Sequence, residues 1–264
     1  MSEETNAAGV LLSVDSGVAH LVLNRPAAAN SFDLPTALDL VAAVERCAAD
    51  DIRVVVVTGA GKRFCAGGDV ASFVAAEARD AYIHELASVL GGALRALSDL
   101  AKPVVAGVHG AVAGAGLGFV LAADLVVAER ATKFTMAFAG IGLTPDSGVS
   151  YLLPRVVGLR RALDLTVNQR VLSADTALEW DLVTEVVDGS GAAEVAGGTA
   201  AERALEIGRT LAAGPALALG QARRLLRSGL EVSRDVHAAD EARTISRAVV
   251  GDEASALIDA FLNR

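Results

Sequence analysis

Two loops of small residues, each following an apolar run, are the segments of this sequence best suited to chemistry. The first segment spans residues 54–70 and begins with four consecutive valines, and the second spans residues 103–118 and begins with the apolar run 103–108. Residues 66–68 and 113–116 carry almost no side-chain bulk, so the backbone there can approach a ligand closely. Two backbone N–H groups offered from two loops can form an oxyanion hole, in which donors face a developing negative charge. The pattern predicts chemistry on a carbonyl group.

Asp146 is the side chain best placed by the sequence to move a proton. It follows the apolar run 142–145 and precedes Ser147 and Gly148. A carboxylate in an apolar pocket has a raised pKa, so it can take and return a proton near neutral pH. An aspartate before a helix is also a good N-cap, since its side chain accepts a hydrogen bond from the first turn. The residues alone leave both interpretations open.

The cysteines and histidines are weaker candidates for catalysis or metal binding than Asp146. Cys47 and Cys65 have no CxxC spacing, which argues against a disulfide scaffold and fits a reducing cytoplasm. Cys65 could be a nucleophile at a helix N-terminus, but a buried core residue is the favoured interpretation. His84 is predicted to be an exposed or lid-facing helix residue, and His109 to bond to backbone. Four histidines without HxxxH spacing predict no metal site.

Composition limits the class of protein. The 264 residues suit one large domain or one domain with a small appendage. A formal charge of −9 argues against nucleic-acid binding, because a phosphate backbone would be repelled. The acidic first residues, 1–5, lack the apolar core of a signal peptide, so we expect a cytoplasmic protein.

Apolar periodicity predicts alternating strands and helices, which is typical of an α/β fold. The predicted strands cover residues 10–14, 18–24, 52–58, 104–108, 124–128 and 133–136; the predicted helices cover 34–49 and 78–100, a short helix begins near residue 115, and residues after 199 are helical. The uncharged stretch 104–123 is long enough for a membrane span. Its glycines and the preceding Lys102-Pro103 instead favour a strand, a turn and a short buried helix, so no membrane partner is expected.

Several motifs in a fixed order carry a family resemblance. The segments Phe-Cys-Ala-Gly-Gly-Asp at 64–69, Gly-Ala-Val-Ala-Gly-Ala-Gly-Leu-Gly at 110–118 and Gly-Leu-Thr-Pro-Asp-Ser-Gly at 142–148 resemble the enoyl-CoA hydratase/isomerase (crotonase) family over nearly the whole chain. The resemblance implies a spiral of strand-strand-helix repeats over residues 10–198 after a flexible segment, 1–9. It also implies a helical oligomerisation region, 199–264, that assembles trimers or dimers of trimers.

The resemblance also implies roles for individual residues. The N–H groups of Gly68 and Ala115 would hold the thioester oxygen of an acyl-CoA, and Asp146 would be the catalytic aspartate. Arg25 would contact CoA. The remaining expected substrate-binding residues are Ala66, Gly67, Asp69, Val70, Gly114 and Phe138. Coenzyme A is then part of the substrate, and no separate cofactor or metal is expected.

Two positions distinguish between reactions. Hydratases of the family use two glutamates, which fall here on Gly118 and Phe138, and neither residue can move a proton. The chain is most similar to the subgroup of ring-1,2-epoxyphenylacetyl-CoA isomerase, of phenylacetate degradation, and enoyl-CoA isomerases. We therefore expect an isomerase with Asp146 as the proton shuttle and Phe138 in an apolar acyl pocket. A hydratase and a non-catalytic acyl-CoA-binding protein are the alternatives. The family's dehalogenase histidine falls on Gly91-Gly92.

Overall fold

A computed structural model describes residues 8–189, 199–229 and 231–263 of the chain. Its strands are β1 Val10–Asp15, β2 Val18–Leu23, β3 Val54–Gly59, β4 Val104–Val108, β5 Ala111–Ala113, β6 Leu125–Glu129, β7 Lys133–Thr135, β8 Leu172–Ser173 and β9 Glu185–Val187. Its helices are α1 Leu34–Cys47, α2 Val70–Ala75, α3 Arg79–Asp99, α4 Ala115–Ala122, α5 Val149–Val157, α6 Leu159–Val167, α7 Ala174–Glu179, α8 Ala200–Ala213, α9 Ala216–Ser228, α10 Arg234–Ala248 and α11 Asp252–Leu262. The strand and helix alternation expected from the sequence is therefore present.

The larger sheet is built around β3. Its strand order is β1-β2-β3-β4-β6-β9, with β1 and β2 antiparallel and the following pairs parallel. The four valines of β3 are buried on both faces: Val55 and Val57 belong to the main core, whereas Val54 and Val56 belong to a second apolar cluster with Ala204 of α8. Burial on both faces explains the unbroken apolar run.

A smaller sheet, β5-β7-β8, lies beside the first. Consecutive strands alternate between the two sheets: β4 belongs to the larger sheet and β5 to the smaller one, and β6 and β7 repeat that step. A helix follows each such pair, so the strand-strand-helix repeat of the crotonase fold is present. An isolated parallel bridge between Cys65 and Val112 extends the smaller sheet toward the first glycine-rich loop.

Residues 104–123 contain β4, β5 and α4. Every residue of α4 is buried, and the ring of Phe119 in this helix lies between those of Phe32 and Phe64, with centroid distances of 5.6 Å and 6.1 Å. The apolar stretch is thus core, as its glycines predicted. Among the described residues, no helix combines the length and apolarity needed to cross a membrane.

The C-terminal helices fall into two groups. Helix α8 packs on the outer face of the larger sheet, where Gly208 allows close contact with Val56, and α9 is tied to the core by ion pairs from Arg223 and Arg227 to Asp124. Helices α10 and α11 bury none of their described residues. The boundary expected at residue 198 and most of the segment 1–9 lie outside the described residues.

Candidate active site

The two glycine-rich loops lie against each other. The Cys65 N–H donates a hydrogen bond to the Ala111 carbonyl oxygen, and the Ala113 N–H donates one to the Cys65 carbonyl oxygen at 2.9 Å. Gly67 has φ +104°, and a Cβ added there would lie 3.2 Å from the Ala113 carbonyl oxygen and 3.5 Å from the Ala115 nitrogen. A side chain at this position would push the loops apart, so glycine is what allows the close approach.

The loop contact brings two free donors to one place. The N–H groups of Gly68 and Ala115 have no hydrogen-bond partner within the described part of the chain. Ala115 is the first residue of α4, where a helix leaves its N–H without an internal partner. Both residues line a cavity of about 400 Å³. The predicted oxyanion hole therefore has two unpaired donors at one cavity, and the helix N-terminus adds a favourable field for negative charge.

Asp146 lines the same cavity and is not a helix cap. Helix α5 begins at Val149, its N-cap is Gly148, and no side chain caps it. Ser147 and Gly148 have φ values of +54° and +75°, and this left-handed turn separates Asp146 from the helix. The carboxylate accepts a hydrogen bond from the Ser147 hydroxyl at 2.9 Å. Burial raises the pKa of Asp146, and the Ser147 hydrogen bond opposes part of that effect.

The rest of the cavity is mostly apolar. The lining residues are Ala66, Gly67, Gly68, Val70, Phe73, Ile83, His84, Leu86, Ala87, Leu90, Gly114, Ala115, Ala137, Phe138, Ile141, Leu143, Thr144, Pro145 and Asp146. Among these, Asp146 is the one carboxylate and His84 the one imidazole. A cavity of this size and polarity suits an apolar acyl group next to a polarised carbonyl.

The wall formed by α3 was missed by the sequence analysis. Ile83, Leu86, Ala87 and Leu90 follow helical spacing and line the cavity. The helical spacing of apolar residues in the sequence marks a different stripe of this helix, which includes only Leu86 of the wall: Tyr82, Leu86, Val89, Ala93, Leu97 and Leu100. The sequence signal that could have predicted this wall is the presence of apolar side chains on more than one side of a 21-residue helix.

The two positions that would hold hydratase glutamates have different surroundings. Gly118 lies inside buried α4, and a Cβ added there would lie 2.7 Å from Leu94 Cδ1 and 2.9 Å from the Ser147 carbonyl oxygen. A glutamate has no room at this position without displacing its neighbours. Phe138 is half-buried at the cavity wall, and its Cζ atom would lie 3.8 Å from a Cβ on Gly114. The aromatic ring is therefore next to the oxyanion loop.

Arg25 and Asp69 do not line the cavity and pair with each other. The Arg25 guanidinium pairs with Asp33 at 2.9 Å and Asp69 at 3.0 Å, and it also donates a hydrogen bond to the Ser31 carbonyl oxygen. Asp69 caps α2 by accepting a hydrogen bond from the Ala71 N–H. This arrangement fixes the loop that carries Gly68. The predicted CoA contact of Arg25 stays a prediction.

The other candidates from the sequence are Cys65, His109 and His84. Cys65 is fully buried, and burial raises the pKa of its thiol to about 12, which leaves it unreactive at neutral pH. His109 bonds to the Gly61 carbonyl oxygen at 2.9 Å. His84 is exposed at the cavity wall, and it precedes Gly91 by two helical turns. No group of histidine, cysteine and acidic side chains within the described ranges could hold a metal ion.

The fold therefore places two unpaired backbone N–H groups and a single carboxylate at one cavity. The sequence profile of the enoyl-CoA hydratase/isomerase family matches residues 13–262. The chain therefore belongs to the enoyl-CoA hydratase/isomerase family.

Individual relatives extend this result. The chain is 37% identical over 228 residues to 1,2-epoxyphenylacetyl-CoA isomerase of Escherichia coli K12, an alignment that covers 83% of this chain and 82% of the relative. It is 37% identical over 182 residues to trans-2-decenoyl-[acyl-carrier-protein] isomerase of Streptococcus mutans, covering 68% and 69% of the two chains. A crystal structure of enoyl-CoA hydratase from Mycobacterium smegmatis superimposes with a TM-score of 0.85 at 29% identity, covering 97% and 96%. Isomerases and hydratases are thus both among the relatives.

Proposed function

We propose that the protein is an acyl-CoA isomerase that moves a double bond next to a thioester by transferring one proton. The observation that carries this proposal is the lone carboxylate of Asp146 in a cavity that also holds the unpaired N–H groups of Gly68 and Ala115. The isomerases of Escherichia coli and Streptococcus mutans are relatives at 37% identity, which supports the same class of reaction.

The proposed reaction needs one base. The Asp146 carboxylate removes a proton from the α carbon of a 3-enoyl thioester, and the electron pair moves onto the carbonyl oxygen. The Gly68 and Ala115 N–H groups stabilise the enolate oxygen. Asp146 then returns the proton to the γ carbon, which leaves a 2-enoyl thioester of unchanged mass. A pKa raised by burial suits this exchange, because it makes the carboxylate a stronger base toward the α proton.

A hydratase is the first alternative, because the family includes hydratases. Adding water requires one group to activate water and another to protonate carbon. The packing of Leu94 and Ser147 around Gly118 leaves no space for a first glutamate, and Phe138 stands at the second position. His84 also lines the cavity, but it occupies neither of the two positions at which hydratases of the family hold their glutamates. These observations favour the isomerase.

A second alternative is an acyl-CoA-binding protein that has lost turnover. In all three cases coenzyme A enters as part of the substrate, and we propose that no metal or redox cofactor takes part. Binding of CoA esters does not separate the enzyme from the binding protein. Turnover of the wild-type chain and its loss in an Asp146 variant do.

The decisive experiment is a mass-balance assay of 2-enoyl-, 3-enoyl- and aryl-CoA esters with the wild-type chain and Asp146→Asn. We expect an isomeric product of unchanged mass, and we expect the variant to form little of it. A product heavier by one water, formed at roughly 10 per second, would contradict the isomerase. Binding of the esters without any product would support the binding-protein alternative.

We also propose a homotrimer or a dimer of trimers. Helices α10 and α11 bury none of their described residues, and Ile245, Phe261 and Leu262 each expose more than two thirds of their surface. Large exposed apolar side chains on adjacent helices are typical of a subunit interface. Light scattering after size-exclusion chromatography should give three or six times the 26.8 kDa chain mass. A monomer at micromolar concentration would contradict the assembly.

A further inference from the structure

A second cavity lies beside the proposed acyl cavity. Its volume is about 310 Å³, and its own lining comes from Met136, Ala139, Thr166, Val167 and Gln169. We call it the second chamber. The proposed isomerase reaction uses none of these side chains, so the second chamber has no role in the chemistry described above.

The two cavities share one wall. Ala137, Phe138, Leu143, Thr144 and Pro145 line both of them. Because the same residues face both spaces, the partition is a single layer of side chains. Phe138 is the largest of these residues and is half-buried, so its ring is the bulkiest part of the partition. The other wall residues are smaller and cannot close as wide an opening.

The backbone of the wall holds Phe138 in place. Ala137 has φ +59°, an uncommon conformation for a residue with a side chain, and the Phe138 N–H donates a hydrogen bond to the Met136 carbonyl oxygen at 2.7 Å. The Phe138 carbonyl oxygen accepts hydrogen bonds from the N–H groups of Ile141 and Leu143. The main chain is therefore fixed on both sides of Phe138, and the ring is the part of the partition free to move.

The second chamber suits an uncharged, apolar occupant. Met136, Ala139 and Val167 are apolar, and no lining residue carries a charge. The Thr166 hydroxyl already donates a hydrogen bond to the Ala162 carbonyl oxygen at 2.8 Å, so the Gln169 carboxamide is the main polar group. Each cavity alone is near the lower limit of the usual range for ligand pockets, and the two joined lie well within it.

We propose that the second chamber binds the distal part of a long, uncharged acyl chain, and that Phe138 is the gate between it and the acyl cavity. This proposal rests on the proposed function, because the thioester end must lie at Gly68 and Ala115. A short acyl chain would remain within the acyl cavity. A long chain displaces the Phe138 ring and extends toward Val167, at the end of α6.

The test measures binding of saturated butanoyl-, octanoyl- and hexadecanoyl-CoA by calorimetry, because saturated chains lack the double bond that is isomerised. Val167→Trp fills the second chamber from a side chain that is 73% exposed, so the substitution should fold. Leu163→Trp is the matched control, since it is also exposed on α6 and lines neither cavity. Phe138→Ala is a second variant that removes the gate.

We expect Val167→Trp to weaken hexadecanoyl-CoA binding about tenfold, the equivalent of about two methylene groups kept in water. Butanoyl-CoA binding should be unchanged, and Leu163→Trp should resemble wild type. Phe138→Ala should increase the preference for the long chain. Equal effects of the two tryptophans, or equal effects on short and long chains, would overturn the second chamber as an acyl site. If butanoyl-CoA binds normally in that case, the proposed function stands without the chamber; if no ester binds, both proposals fail.

Discussion

Replacing Ala115 by proline would remove one of the two proposed oxyanion donors, and we expect it to leave the fold intact. Ala115 is the first residue of α4, the helix position that accepts proline best, because the ring has the φ of a helix and the missing N–H was unpaired anyway. The preceding residue is Gly114, which has no Cβ to clash with the proline ring. We therefore expect the proline variant to fold.

The expected magnitudes differ for stability and for catalysis. No hydrogen bond within the described residues is lost, so the free energy of unfolding should change by no more than about 1 kcal/mol, and a proline can even stabilise the chain by restricting its unfolded state. Loss of one oxyanion donor should lower kcat about 10²- to 10³-fold, or about 2.7–4 kcal/mol of transition-state stabilisation. The proline Cδ atom also occupies the place of the lost hydrogen, which adds to the effect.

The assay is kcat and KM for a 3-enoyl-CoA, with a thermal melt of each variant. Ala115→Gly is the matched control, because glycine keeps the N–H and changes only the buried methyl group. We expect the glycine variant to retain most of its activity. A proline variant that melts like wild type and keeps kcat within a few-fold would refute the assignment of Ala115 as an oxyanion donor.

Further predictions concern Asp146, Gly118 and the C-terminal helices. Burial raises the pKa of Asp146, so kcat/KM should fall as the pH decreases through that raised value and the base becomes protonated. The same burial makes the ionised carboxylate unfavourable in the folded state, so Asp146→Asn should melt higher than wild type at neutral pH. The difference should shrink as the pH falls below the raised pKa and wild type becomes protonated, and a lower melting temperature of the variant at neutral pH would contradict this sign. Gly118→Ala should lower the free energy of unfolding by about 1–3 kcal/mol in a denaturant titration, since the added methyl group displaces Leu94 or the Ser147 backbone. It should also lower kcat, because Ser147 is next to Asp146, and unchanged activity would show that Ser147 does not set the position of Asp146. Phe261→Glu should reduce the assembled mass in light scattering, and an unchanged mass would exclude α11 from the interface.

The main elements could be predicted because their signals are local. The four valines of β3 and the small residues of the two loops predicted a doubly buried strand and a close backbone approach, and both are present. Hydrophobic burial and the absence of side chains act on the residues themselves, so a sequence displays them directly.

What could not be predicted depends on residues distant in sequence. Arg25 is one example, because its ion pairs with Asp33 and Asp69 form only in the folded chain. The sequence offers Arg25 as a phosphate ligand, whereas the structure shows it paired with two carboxylates. The left-handed conformation of Ser147, which separates Asp146 from α5, has no sequence signal because serine rarely adopts it. The α3 wall could not be predicted, because α3 has apolar residues on more than one side. Periodicity alone does not say which of these sides faces the cavity.

The contact of the glycine loops has an evolutionary consequence. The two proposed oxyanion donors are main-chain atoms, so most amino-acid substitutions at Gly68 or Ala115 cannot delete them, whereas the proposed base and acyl wall are side chains that one codon change can replace. A lineage with this backbone can therefore exchange the residues at 138 and 146 and test a new reaction on the same carbonyl. The part of the catalyst that is hardest to assemble is inherited with the fold, and the part that selects the reaction remains open to mutation.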